Sequence, residues 1–126
     1  MRDETKTPAE LSLRTKEFAL RIIRLYCSLS KSTQAQVLGK QVLRSGTSVG
    51  ANYREAKRSR SKAEFIAKIG DCLKELDETA YWLELLLESG TIASSQMKGL
   101  HQECDELLAI FTTISKKTKA SAIHTS

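Results

Sequence analysis

Proline occurs once in the 126 residues, and aromatic residues make up only 6% of them. With the single proline at position 8, no later proline interrupts a helix, and proline is the residue that removes a backbone donor and breaks helix interiors. The scarcity of aromatics makes the expected core aliphatic. No apolar run approaches the ~18 residues that a membrane helix requires, and the charged start Met1-Arg2-Asp3-Glu4-Thr5-Lys6 is followed by no apolar stretch of a leader. A cytoplasmic protein outside the membrane is expected. The three cysteines, Cys27, Cys72 and Cys104, show no paired CxxC spacing, which argues against a zinc ribbon or a redox motif. They are expected to be reduced, buried and apolar in character.

Catalytic signatures are missing as well. His101 and Cys104 lie three apart on one helical pattern, but two further metal ligands are lacking. The Glu-x-x-His motifs of di-metal bundles are absent, since Lys98 precedes His101 by three and Ser121 precedes His124 by three. Gly46-x-x-x-Gly50 lacks both the Lys-Ser/Thr and the preceding strand of a phosphate loop. Ser45 and Ser48 have no histidine near them in sequence to activate a hydroxyl. No catalytic residue, cofactor or metal site is therefore assigned, and the chain is not expected to be an enzyme.

What is present is helical periodicity. With 40% hydrophobic and 28% charged residues the composition is that of a soluble globular chain, and the length fits one domain spanning residues 1–126. Thr7-Pro8-Ala9-Glu10 forms a capping box with proline at the first helical position. Leu11, Phe18, Ile22, Leu25 and Leu29 then recur at helical spacing, which predicts a helix over 8–29. Thr33-Gln34-Ala35-Gln36 opens a second helix over 33–57, along Leu38, Val42, Ser45, Val49, Asn52 and Ala56. Its middle, Ser45-Gly46-Thr47-Ser48-Val49-Gly50-Ala51, consists mostly of poor helix formers, each interior glycine costing about 1 kcal/mol relative to alanine. Either the helix breaks there, or another helix, a ligand or a second subunit approaches the backbone closely.

Ser61-Lys62-Ala63-Glu64 caps a third helix over 62–89, whose seam runs through Ile66, Ile69, Leu73, Leu76, Ala80, Leu83 and Leu87 to a stop at Gly90. Met97, Leu100, Cys104, Leu107, Phe111 and Ile114 mark a fourth helix over 95–116, and residues 117–126 are expected to be a flexible basic tail. Short connections force consecutive helices to run antiparallel. The predicted fold is all-α, a single antiparallel up-down-up-down four-helix bundle.

Charge is unevenly placed. Arg54, Lys57, Arg58, Arg60 and Lys62 stand against Glu55 alone at the turn between the second and third helices. Residues 71–88 instead hold Asp71, Glu75, Asp77, Glu78, Glu84 and Glu88 against Lys74. The five cations are either a solvated turn or a phosphate-contacting surface for RNA or DNA. Because no aromatic lies between Tyr53 and Phe65, little base stacking is expected within this turn.

The stretch Gln41 to Ala56, with Arg44-Ser45 and Ala51-Asn52-Tyr53-Arg54-Glu55-Ala56, resembles the family of 23S ribosomal RNA intervening-sequence proteins. So do Ser61-Lys62-Ala63-Glu64-Phe65 and Lys74 through Leu83, with Glu78-Thr79-Ala80-Tyr81-Trp82-Leu83. The resemblance implies a bacterial four-helix bundle that forms a ring-like homopentamer. It also implies a relation to the accessory proteins of diversity-generating retroelements, which act beside a reverse transcriptase and bind nucleic acid through basic surfaces. Carried onto this sequence, Arg44, Asn52 and Glu55 match the second-helix motif, and Glu75, Glu78 and Trp82 the third-helix motif. With Gly46 and Gly50 they are candidates for packing or subunit contacts. Ala56 stands where glycine is frequent in relatives. Two function classes follow: a nucleic-acid-binding accessory protein, or an assembly or scaffold protein that binds another protein.

Overall fold

A computed structural model describes residues 7–125, and its regular structure is all α: α1 Pro8–Ser28, α2 Thr33–Lys57, α3 Lys62–Glu88, α4 Ser94–Met97 and α5 Leu100–Thr125. Residues 1–6 and Ser126, including the charged start of the chain, lie outside the described residues. The caps of α1 and α3 are the serine and threonine of the two capping motifs. Thr7 Oγ1 accepts from the Glu10 amide at 3.1 Å, and Ser61 Oγ accepts from the Glu64 amide at 3.1 Å. For α2 the cap is Ser32, one residue before the expected Thr33. Ser32 holds the extended backbone that a cap needs, and its hydroxyl accepts from the Ala35 amide at 3.2 Å.

The middle of α2 does not break. The hydroxyls of Ser45, Thr47 and Ser48 donate to the carbonyls of Gln41, Leu43 and Arg44 at 2.9, 2.6 and 2.6 Å, so the poor helix formers satisfy themselves within the helix. Its glycines face α1. A Cβ at Gly46 would sit 2.7 Å from Ile22 Cγ1, and one at Gly50 would sit 3.3 Å from Thr15 Oγ1. Close approach by a neighbouring helix of the same chain thus accounts for the small residues.

Particular hydrogen-bonded pairs join the helices. Ser12 meets Lys57 and Tyr26 meets Gln36 across α1 and α2. Ser45 meets Thr79 while Val49 meets Cys72 across α2 and α3. Leu76 meets Cys104 and Glu84 meets His101 across α3 and α5. Arg14 closes the circuit, its guanidinium donating to Glu103 at 2.8 and 2.7 Å and to Glu106 at 2.7 Å on α5. Its hydrogen bond holds the Glu106 carboxyl below its ordinary value.

Two expectations are corrected in the last third of the chain. The fourth helix does not run unbroken over 95–116. A single turn, α4, ends at Lys98 and Gly99, whose left-handed φ angles of 44° and 77° redirect the chain before α5 starts. Arg21 Nη2 holds this corner by donating to the Lys98 carbonyl at 2.8 Å. Residues 117–125 are helical rather than a loose tail. Ser115 is buried and Thr118 and Ala122 are half-buried, so the helical period continues in small side chains that carry little apolar signal.

On α3 the buried face is centred on Ile69, Cys72, Leu76, Thr79, Leu83 and Leu86, whereas Leu87 is 38% exposed. The helix packs against both α2 and α5, which turns the buried face about one residue away from the simple heptad seam. Cys72 and Cys104 are buried as expected, and burial pushes both thiols up to about 12. Cys27 is exposed, which corrects the expectation for it. It lies opposite the core row of α1, in line with Leu13 and Leu20. Alkylation at mildly alkaline pH should therefore modify Cys27 first, rapidly wherever its face of α1 is uncovered, and leave Cys72 and Cys104 intact until the protein unfolds, as peptide mass mapping would show.

Candidate nucleic-acid interface

The basic turn is an end of the molecule where four segments meet. Ser61 starts α3, Lys57 and Arg58 finish α2, Pro8 begins α1, and the last turns of α5 arrive from the far end of the sequence. Lys62 Nζ donates to Ser121 Oγ at 2.8 Å, which ties the end of α5 to the start of α3. Lys57 Nζ contacts Ser12 Oγ and stands 5.6 Å from the centre of the Tyr53 ring.

Two adjoining pockets open at this end. One is lined by Lys57, Arg60 and Lys62 around Tyr53 and Phe65; the other shares Pro8, Tyr53 and Phe65 and is bordered by Lys117. The five expected cations do not form one patch. Lys57, Arg60 and Lys62 surround the pocket and Arg58 is exposed beside it, while Arg54 borders a different groove, between α1 and α2 with Ser12 and Lys16. Glu55, the one acid of the turn, pairs with Lys68 at 2.7 Å, so it is neutralised from α3. Among the described residues no ion pair joins Arg54, Arg58 or Arg60 to a carboxylate.

Three contributors were invisible in the linear sequence. Lys117 is expected in a loose tail, yet α5 carries it to the pocket rim. Tyr53 and Phe65 flank the turn, with nothing aromatic between them in sequence, yet the turn brings both side chains into one floor. Tyr53 is 5% exposed and meets Phe111 edge to face, with centroids 5.5 Å apart. Burial raises its phenol above the ordinary value. Ser59 Oγ is buried at this pocket with no hydrogen-bond partner among the described residues.

The remaining motif residues lie elsewhere. Arg44 bridges Glu75 at 3.2 Å and Glu78 at 2.6 Å, linking α2 to α3 with motif members from both helices. Arg44 is half exposed, so each pair contributes at most about 1 kcal/mol. Asn52 is half-buried and makes no side-chain hydrogen bond among the described residues. Trp82 packs on the core beside Tyr81, the rings 5.3 Å apart, and its indole nitrogen is buried without a partner among the described residues. Gly46 and Gly50 face α1, as described above. Among the described residues no group of three or more His, Cys, Asp or Glu could hold a metal ion, and no helix is long and apolar enough to cross a membrane.

Fold and site together define a small all-α protein with a cationic, aromatic-floored end. The chain belongs to the family of 23S rRNA-intervening sequence proteins, whose model matches residues 10–113. It is similar to the crystal structure of a protein of unknown function from the S23 ribosomal protein family of Bacteroides thetaiotaomicron. The two are 42% identical with a TM-score of 0.78, over 83% of this chain and 97% of that one. None of the curated proteins matches the chain.

Proposed function

We propose that this chain is a non-enzymatic, cytoplasmic, nucleic-acid-binding accessory protein built as an up-down-up-down antiparallel four-helix bundle, with α4 as a one-turn addition. The opposed numbering of the hydrogen-bonded pairs between α1 and α2, α2 and α3, and α3 and α5 supports the bundle. The observation that carries the function is the convergence of cations from two remote segments, residues 57–62 and Lys117, at one end of the fold. Lysines and arginines held near phosphates release condensed counterions, and the resulting affinity is salt-dependent and largely blind to sequence. The relation to retroelement accessory proteins is part of this proposal.

The protein is further proposed to be a homo-oligomer, with the pentamer as the form that the resemblance implies. Its support is the outer face of α1, where Leu13 and Leu20, opposite the core row, are 58% and 43% exposed and Ile23, at its flank, is 39% exposed. The same face favours the second reading, a scaffold that binds another protein without a role for nucleic acid. Binding to a long RNA or DNA measured across a salt series, with the mass of the free protein from light scattering, separates these readings. A multiple of the monomer mass with steeply salt-dependent binding is expected. An oligomer with no affinity for either polymer favours the scaffold, and a monomer mass refutes the assembly.

A further inference from the structure

We propose that the pocket at the basic end takes an unpaired base of single-stranded nucleic acid onto Phe65, with the neighbouring phosphates on Lys57, Arg60 and Lys117. This rests on the nucleic-acid reading above and adds which form of nucleic acid the site prefers. The pocket combines two chemistries that phosphate alone does not need together. Its floor is apolar and aromatic, made by Pro8, Tyr53, Ala56 and Phe65, and its rim is cationic. A paired duplex presents phosphates to the rim but keeps its base faces stacked away from the floor. A single-stranded nucleotide presents both an anionic group and a planar ring.

The geometry distinguishes the two aromatics. Tyr53 is buried, meets Phe111 edge-on, and has Lys57 Nζ over its ring. Phe65 is half-buried in the first turn of α3 and lines both pockets, so it is the ring on which a base stacks. Ser59 lines the same pocket through its other atoms, while its hydroxyl is buried and without a partner among the described residues. The α3 N-terminus also opens there, and its positive dipole end favours an anion.

The test compares three ligands of equal length at one salt concentration: an intact single strand, the same strand with abasic positions, and a duplex. Wild-type protein should bind the intact strand about tenfold more tightly than the abasic one, the scale of one base stacked on an aromatic ring. Phe65→Leu keeps apolar volume but removes the ring; it should abolish that difference and leave duplex binding unchanged. Arg60→Ala should weaken all three ligands. Equal binding of intact and abasic strands by wild type, or a preference that survives in Phe65→Leu, overturns the base pocket while the electrostatic reading stands. Absence of salt-dependent binding to any ligand overturns both.

Discussion

A variant with Lys57, Arg58 and Arg60 replaced by alanine is expected to bind long RNA or DNA with a salt slope smaller by roughly 2 to 3 log units per log unit of salt. Each phosphate contact removed accounts for about 0.7 to 0.9 of that slope. All three side chains are exposed and alanine is a good helix former, so helicity and oligomeric mass should be retained. In an assembly the same end recurs in each copy, and several weak contacts along one polymer reinforce each other through effective concentration. The loss should therefore be greater on long substrates than on short ones. Arg54→Ala is the internal comparison: Arg54 borders the α1–α2 groove rather than the pocket, so its removal should change the slope by no more than one contact. Identical slopes and affinities for wild type and the triple variant would exclude this end as the binding surface and leave the scaffold reading.

The largest expected effect on stability comes from Gly46→Leu. A Cβ alone at this position would stand 2.7 Å from Ile22 Cγ1, and Ile22 is fully buried and branched, with no flexible end to swing aside. Overpacking of this kind costs ~3 kcal/mol or more once the rest of the leucine is added, a large part of the ~5–15 kcal/mol that holds a domain together. A fall in melting temperature on the order of 10 °C is expected. Gly70→Ala provides the contrast. Gly70 lies inside α3, exposed, with nothing within 4 Å of an added Cβ, so the usual helix penalty of glycine is simply removed and stability should rise by about 1 kcal/mol. Thermal unfolding of both variants decides between the accounts. An undiminished melting temperature in Gly46→Leu would show that α1 does not press on α2 there.

Local physics made much of the architecture legible. Thr7 and Ser61 are recognisable as caps because a hydroxyl three residues before a glutamate satisfies an orphan amide regardless of tertiary context. Leu11, Phe18, Ile22 and Leu25 are recognisable as core because the helical period alone puts them on one face. The same reasoning failed where the signal was weak or conformational. Ser115, Thr118 and Ala122 continue the period of α5 without large apolar side chains, so the hydropathy signal stops before the helix does. Lys98 and Gly99 break the fourth helix by left-handed backbone angles; Gly99 is a signal of such a stop, but the helical spacing of Met97 and Leu100 on either side of it outweighs it. Leu87 appeared to belong to the seam of α3 because a heptad pattern assumes one neighbour, whereas α3 is covered from two sides.

The candidate site divides in the same way. The cations of residues 54–62 and the acids of residues 71–88 are matters of composition, and the sequence by itself determined that one turn is basic and that α3 carries an acidic face. It also determined the all-α class, since its one proline and its periodic leucines leave little else. Only the tertiary structure decided that Arg54 parts from the other cations, that Lys68 neutralises Glu55, and that Lys117 joins Lys57 and Arg60 around a floor made by Tyr53 and Phe65. The reason is one of range: caps, periodicity and net charge act within a few residues along the chain, while a pocket depends on where helix axes cross and end, which is set by side chains more than fifty positions apart such as Lys62 and Ser121.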